Sequence, residues 1–146
     1  VTIRAVFVRH GVSVEVLGEA VERGIKRALL NPLVKMMVKK GGKKMFSAEN
    51  RQSLINFGVQ SQKKTFPLGF VYMWEHKPDD EWKDHYTILD CGICKVCSKH
   101  GATDIVPYLC KLDDILFSAR GQEMQRTKTI ASGGGECDFK FRPFRG

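Results

Sequence analysis

In the first half of the chain, the apolar residues recur at helical spacing. Over Val14–Leu29 they fall three and four positions apart, which predicts an amphipathic helix. The shorter patch Leu33–Val38 continues this pattern, and we expect Gly41 and Gly42 to end it because paired glycines interrupt helices. A third helix is predicted over Ala48–Phe57. We therefore expect a helical N-terminal part.

The second half changes to short runs of aromatic and β-branched residues between polar turns, which is typical of strands. Four strands are predicted, at Leu68–Glu75, His85–Asp90, Glu123–Ala131 and Cys137–Phe141. Two helices are predicted between the second and third strands, at Ile93–His100 and Tyr108–Ala119. This order favours the α+β class. We expect one domain over 1–146, in which helices of a basic part (1–65) pack on a mainly antiparallel sheet of about four strands, with two interleaved helices, in 66–146.

The net charge is concentrated in the N-terminal part. Residues 1–65 carry 13 basic and 4 acidic side chains, whereas residues 66–146 carry 11 basic and 12 acidic ones. Most of the excess comes from lysines, at Lys35, Lys39, Lys40, Lys43, Lys44, Lys63 and Lys64. Such a run is typical of a solvated face, and the alternative is an acidic partner or an anionic substrate.

Composition also restricts the partners that we expect. The basic part has no interleaved aromatic residues and no nucleic-acid reader motif, so we expect no nucleic-acid partner. No run approaches about 18 apolar residues, so we expect no membrane partner. The apolar patch Leu33–Val38 beside the lysines is a candidate interface with a second copy of the chain in a homo-oligomer.

All five cysteines lie at or after position 91. An odd number without a recognisable secretion signal argues against a disulfide framework, so we expect reduced thiols in a cytoplasmic protein. Cys91, Cys94, Cys97 and His100 follow one another at every third position, a rhythm that is also seen in zinc and iron–sulfur ligands. A buried helix face, a metal site and thiol chemistry are the alternatives here. Because the remaining ligands of either metal site are missing, we expect no metal and no cofactor.

Two further groups of residues are candidates for a site. On a helix, Cys110 and Asp113 would share a face, and a carboxylate raises the pKa of a neighbouring thiol unless a cation lies between them. Cys110 as a purely structural residue is the alternative. Arg126 precedes a turn with glycines at 133–135, which permit close approach to a ligand, although a plain hairpin explains them as well. Four histidines, at 10, 76, 85 and 100, offer a general base, and none has a distinctive spacing partner.

The order of these segments resembles one known family. The chain contains, in this order, a strand ending at Cys91, a helix, Leu109–Asp113, the stretch RTKTIASG at 126–133 and the ending Cys137–Phe139. This order is similar to that of the L-2-amino-thiazoline-4-carboxylic acid hydrolases, which are small bacterial proteins. The resemblance covers mainly residues 66–142. The triple glycine before Glu136 and the basic segment 35–44 depart from the family pattern.

The resemblance implies a hydrolase that adds water to a five-membered thiazoline ring and releases a carbamoyl-cysteine. Asp113 would hold the amidinium group of the substrate, and Arg126 would bind its carboxylate. Cys110 or Cys137 would attack the amidine carbon, or His85 would activate water instead. The catalytic candidates are thus Cys110, Asp113, Cys137 and His85, and the substrate-binding candidates are Arg126, Thr129 and Cys91.

Two other functions remain as alternatives. The chain is distantly similar to vinyl-reductase-type domains, which are sensory or binding modules, so one alternative is a non-catalytic domain that binds a small molecule. The other is a metal-bearing or redox thiol protein that uses Cys91, Cys94, Cys97 and His100. In the hydrolase and in the binding domain alike, the partner is a small molecule.

Overall fold

The computed structural model describes residues 2–144, which form six α-helices, two short 3₁₀ turns and one four-stranded sheet. The helices are α1 (Thr2–Arg9), α2 (Val14–Leu29), α3 (Pro32–Met45), α4 (Ala48–Ser61), α5 (Gly92–Lys99) and α6 (Val106–Ala119). The strands are β1 (Val71–His76), β2 (Asp84–Asp90), β3 (Gln122–Arg126) and β4 (Cys137–Pro143). The 3₁₀ turns lie at Thr103–Ile105 and Ile130–Ser132.

The sheet has the order β1-β2-β4-β3, and each neighbouring pair is antiparallel. Because α5 and α6 lie between β2 and β3 in the chain, the α+β fold with two interleaved helices is confirmed. β4 inserts between β2 and β3, so its backbone pairs with both neighbours. This central strand therefore joins the two halves of the sheet.

Helices α4 and α6 cover one face of the sheet, and an aromatic core lies between the two layers. Trp74 of β1, Tyr86 of β2 and Phe139 of β4 lie side by side across this face, with ring centroids 5.4 and 5.6 Å apart. Phe117 of α6 packs on Phe141 at 4.5 Å. Aromatic rings at such separations stabilise beyond the area that they bury. The covered face is therefore fixed by the alternation of residues along each strand.

A buried carboxylate joins α4 to the sheet. Asp84 is only 1% exposed, and it accepts hydrogen bonds from Arg51 Nε at 2.7 Å and Arg51 Nη2 at 2.8 Å. His76 Nδ1 lies 3.0 Å from the same carboxylate. A buried charge is tolerated only when it is paired and hydrogen-bonded, so these contacts hold α4 in place above β2.

The N-terminal helices agree with the sequence in part. α2 has its predicted bounds. α1 is a helix that the apolar spacing does not indicate. Its Arg4 forms an ion pair with Asp104, with Nε and Oδ1 2.7 Å apart. α3 continues through Gly41 and Gly42, so the prediction that they end it is wrong. Gly42 is needed instead for close packing, because a Cβ there would lie 2.3 Å from the carbonyl oxygen of Arg120.

Among residues 2–144, none of the helices combines the length and the apolarity that crossing a membrane requires.

Two predicted strands are too long. β1 begins at Val71 rather than Leu68, and β3 ends at Arg126 rather than Ala131. After Arg126 the backbone N–H groups of Thr127 and Lys128 donate to the carboxylate of Asp138, at 3.0 and 2.7 Å. A side-chain acceptor thus replaces the ladder partner that a longer strand would need. Residues 127–131, which were predicted to continue this strand, therefore lie outside the sheet.

The two glycines of α3 allow a matched test of this packing. Gly42→Ala is expected to lower the free energy of unfolding by about 1–3 kcal/mol, since its methyl group would collide with backbone at the end of α6. Gly41→Ala meets nothing within 4 Å and is expected to raise it by about 0.5–1 kcal/mol. Urea unfolding of both variants measures the difference. Equal effects at the two positions would contradict the close contact of α3 with α6.

Candidate functional site

Arg126 lies at the centre of the site. It is the last residue of β3 and pairs in register with Phe139, so its side chain lies on the helix-covered face of the sheet. Nη1 donates to Asp113 Oδ2 at 2.8 Å, and Nη2 donates to the carbonyl oxygen of Cys110 at 3.1 Å. The guanidinium also stacks over the ring of Phe139, 5.1 Å from its centroid. Arg126 therefore links β3, β4 and α6.

The ion pair of Arg126 with Asp113 is only partly open to solvent. The side chains are 13% and 33% exposed, respectively. Burial raises the pKa of the Asp113 carboxyl, and the positive charge of Arg126 opposes that rise. Helix α6 presents the Asp113 carboxylate and the backbone carbonyl of Cys110 to Arg126. The Cys110 thiol, three residues from Asp113, lies near both charges. The pair offers a fixed positive and a fixed negative charge to a ligand.

A tight turn positions Cys137 next to this pair. The backbone N–H of Ile130 donates to Cys137 Sγ at 3.2 Å. Thr129 caps the turn, because its hydroxyl accepts from the N–H of Ser132 at 3.1 Å. Gly133 then has a φ of +86°, a conformation that suits glycine. Thr129, expected to bind substrate, thus makes hydrogen bonds that shape the loop around Cys137.

The thiols around the ion pair are held in their protonated form. Burial raises the pKa of Cys110 to about 11, with Asp113 raising it further and Arg126 lowering it. Burial also raises the pKa of Cys137, while the N–H of Ile130 opposes this. Burial and a hydrogen bond with the Cys91 thiol raise the pKa of Cys94 to about 12. At neutral pH these three thiols carry no charge, so any thiolate chemistry needs an additional cation or base.

Cys91 stands where β2 passes into α5. Its Sγ accepts from the N–H of Cys94 at 3.4 Å and so caps the helix. Cys91 is buried in the same core cluster as Cys137, whereas Cys97 belongs to a second cluster with Ala102 and Val106. All five cysteines are free. Cys94 packs against both clusters, so the three cysteines of the repeat line neighbouring parts of the core.

The fourth member of that repeat, His100, is exposed after the end of α5. Within residues 2–144, no group of three histidine, cysteine or acidic side chains is arranged so that it could hold a metal ion. A helix cap at Cys91 and the packing of Cys94 and Cys97 account for three members of the rhythm.

His85 is not brought together with the other candidates. It alternates with Tyr86 along β2 and pairs with Lys140, so it lies on the sheet face away from the thiols. Its Nε2 is 3.3 Å from Oδ2 of Asp80. Asp113, Arg126, Cys137 and Cys91 lie on the helix-covered side of the sheet, while His85 faces the other way. The Cys110 side chain packs against the second cluster, and its thiol is close enough for these four groups to act on its pKa.

Tyr86, which lies on the helix-covered face, is not among the residues that the sequence singles out. Burial raises the pKa of its hydroxyl, and the nearby groups Asp113, Cys91 and Cys137 raise it further. Tyr86 is opposite Phe139 in the register, one position from His85. Strict alternation in the predicted strand would have placed it on the face opposite to His85, which was the available signal.

A separate cavity opens between α4 and the segment before β1. It has a volume of about 500 Å³ and is lined by aromatic and polar side chains, namely Phe57, Gln60, Ser61, Thr65, Phe66, Phe70 and Tyr72, together with Gly69. None of the seven candidate residues lines it. It approaches the site through Tyr72, whose ring lies 5.1 Å from that of Tyr86.

One comparison with known proteins gives a match. A family model described as L-2-amino-thiazoline-4-carboxylic acid hydrolase matches residues 7–141 of the chain. The match includes the N-terminal helices, so it is wider than the resemblance over 66–142. No curated protein and no solved structure shows a significant match.

The electrostatics of Cys110 can be measured by alkylation. The rate of its reaction with iodoacetamide is expected to rise with pH according to a pKa of about 11. Asp113→Asn removes a negative neighbour of Cys110 and the close partner of Arg126, which keeps only Asp114 at 3.9 Å. The pKa of Cys110 should therefore fall, and the rate at pH about 8 should rise several-fold. Peptide-resolved mass spectrometry gives the rate at each cysteine. Asp79→Asn, which changes an exposed carboxylate in the turn between β1 and β2, is the matched control. An equal increase there, or an unshifted pKa of Cys110, would contradict this electrostatic assignment.

Proposed function

The chain belongs to the L-2-amino-thiazoline-4-carboxylic acid hydrolase family, and from this premise we propose that it hydrolyses a 2-amino-thiazoline carboxylate to a carbamoyl-cysteine. The observation that carries the proposal is the ion pair of Arg126 and Asp113, whose charges act on the nearby thiols of Cys110 and Cys137. These groups match the charges and the reactive carbon of such a substrate.

The substrate carries a carboxylate at one end and an amidine at the other. Arg126 binds the carboxylate through its guanidinium, which is suited to two parallel hydrogen bonds. Asp113 binds the protonated amidine, whose positive charge replaces that of Arg126 beside the aspartate. The resting ion pair is thus exchanged for two pairs with the substrate. Because both protein charges stay compensated, the exchange avoids an unpaired, partly buried charge.

Cys137 is the nucleophile that the contacts favour. The N–H of Ile130 is already directed at its sulfur, a hydrogen bond that stabilises a thiolate and developing negative charge. The amidinium first gives one proton to Asp113, whose pKa is raised by burial. The Cys137 thiol then adds across the C=N bond of the resulting neutral amidine: sulfur bonds to carbon and the thiol proton goes to nitrogen. Asp113 returns its proton to water when the product leaves. Cys110 is less suited, because Asp113 raises its pKa further.

The remaining steps release the product. The bond between that carbon and the ring sulfur breaks, the sulfur leaves with the proton that the exocyclic amino group gives up, and a C=N bond re-forms. Water then adds to the same carbon, and the bond to Cys137 breaks as the C=O bond forms and the thiol regains its proton. The balance is one water added and one ring C–S bond broken, with Cys137 unchanged.

A non-catalytic small-molecule-binding domain is the second candidate function. The cavity of about 500 Å³ beside Tyr72, lined by four aromatic rings, favours it, because its size and apolar walls are typical of binding pockets. The raised pKa values of the thiols at the site point the same way. In that case the protein would bind a ligand without converting it.

Turnover of L-2-amino-thiazoline-4-carboxylate, followed as carbamoyl-cysteine by mass spectrometry, tests the proposal. Cys137→Ala is expected to reduce kcat to about one hundredth or less of the wild-type value. Arg126→Lys is expected to raise KM by about tenfold, since the two-pronged contact with the carboxylate is lost.

Two matched variants serve as controls. Cys97→Ala changes a buried cysteine in the second core cluster, and Arg142→Lys changes an ion-paired arginine on the other face of the sheet. Both should retain activity. Wild-type turnover in Cys137→Ala would contradict the nucleophile, and binding of the compound without any product would favour the second candidate.

A further inference from the structure

Helix α3 has one side against the protein and one side in solvent. Val34, Val38, Gly42 and Met45, spaced by three and four residues, are buried or half-buried. The opposite side, which we call the α3 outer face, is exposed throughout. It consists of Leu33, Met36, Met37, Lys39, Lys40, Lys43 and Lys44. The outer face therefore combines long apolar side chains with cations.

The apolar members of the α3 outer face are extensively solvated. Leu33, Met36 and Met37 are 66%, 61% and 70% exposed. Three large apolar side chains on one short stretch of helix are unfavourable in water and indicate a contact surface. Their position beside cations, rather than within an apolar patch, restricts the kind of partner.

The lysines of α3 have no ion-pair partner in the part of the chain that the structure describes. The helix contains no acidic residue, and over residues 2–144 none of its five lysines forms an ion pair. Met36, Lys39, Lys40 and Lys43 line a groove of about 240 Å³. Like charges four residues apart destabilise a helix, so α3 is arranged for a negative partner that lies outside the chain.

We propose that the α3 outer face binds an anionic lipid surface. Leu33, Met36 and Met37 enter the boundary between headgroups and acyl chains, and the lysines contact the lipid phosphates, with one headgroup in the groove that Lys39, Lys40 and Lys43 share. The expectation of no membrane partner rested on the lack of a spanning segment. A helix that lies in the plane of the membrane surface needs none.

The charge argues against two other occupants. A second copy would bring two strongly basic faces together without an acid on either. A nucleic acid would meet only lysines on this helix, with no arginine, asparagine or aromatic side chain to contact bases. Exposed methionines and leucine gain more from an acyl layer than from a phosphate backbone. The inference is independent of the proposed hydrolase site, whose residues lie on α6, β3 and β4.

Co-sedimentation of the full chain with vesicles tests the proposal. Binding is expected with phosphatidylcholine vesicles that contain about 30% phosphatidylserine, to be weak with pure phosphatidylcholine, and to fall at about 0.5 M salt. Lys40→Glu/Lys43→Glu is expected to weaken binding by about tenfold or more. Met36→Ser/Met37→Ser should weaken it as well, with the salt dependence retained.

Lys63→Glu/Lys99→Glu is the matched control, since it changes the net charge equally at exposed lysines outside α3, and it should retain most of the binding. Circular dichroism checks that each variant is folded. Equal binding to both kinds of vesicle, or equal losses in the control, would overturn the proposal. If the chain does not bind vesicles but uses the α3 outer face to self-associate or to bind duplex DNA, the proposal is also overturned.

Discussion

The site depends on how the guanidinium of Arg126 is compensated. Arg126 is the last residue of β3, and its side chain lies between the sheet and the helices that cover it. A cation that is buried to this extent is tolerated only when it is ion-paired and hydrogen-bonded. Asp113 supplies the opposite charge, the carbonyl of Cys110 takes a second hydrogen bond, and the ring of Phe139 lies beneath the group. These contacts fix the position of α6 against the sheet, and with it the positions of both residues that α6 contributes.

The loop after β3 has a comparable role for Cys137. Asp138 accepts from the backbone of Thr127 and Lys128, which ends the strand, and the turn that follows directs the N–H of Ile130 at the sulfur. The stretch that resembles the family motif is therefore largely the set of residues that folds this turn. In the proposed reaction, the same N–H stabilises the sulfur when Cys137 attacks and when it leaves.

Much of the fold could be predicted from periodicity, because helical spacing and strand alternation report burial directly. The shared helix face of Cys110 and Asp113 followed from their spacing alone. What the sequence could not provide were contacts between distant segments. Paired glycines predict that the helix ends at Gly42. The contact that requires this glycine is made with Arg120, 78 positions away in the chain, and is not visible in the sequence. The length of β3 was wrong because Asp138, beyond the turn, supplies the acceptor that ends it. His85 was included because it is a good general base, although alternation with Tyr86 places it on the other face.

The central claim is that Arg126 and Asp113 give up their mutual ion pair and pair instead with the two charges of a substrate. A crystal structure of the Cys137→Ala variant with L-2-amino-thiazoline-4-carboxylate tests this claim most directly. The account predicts the carboxylate within hydrogen-bond distance of the Arg126 guanidinium, the amidine on Asp113, and the direct contact of 2.8 Å between the two side chains broken. An intact ion pair with the compound bound in the cavity beside Tyr72 would contradict it.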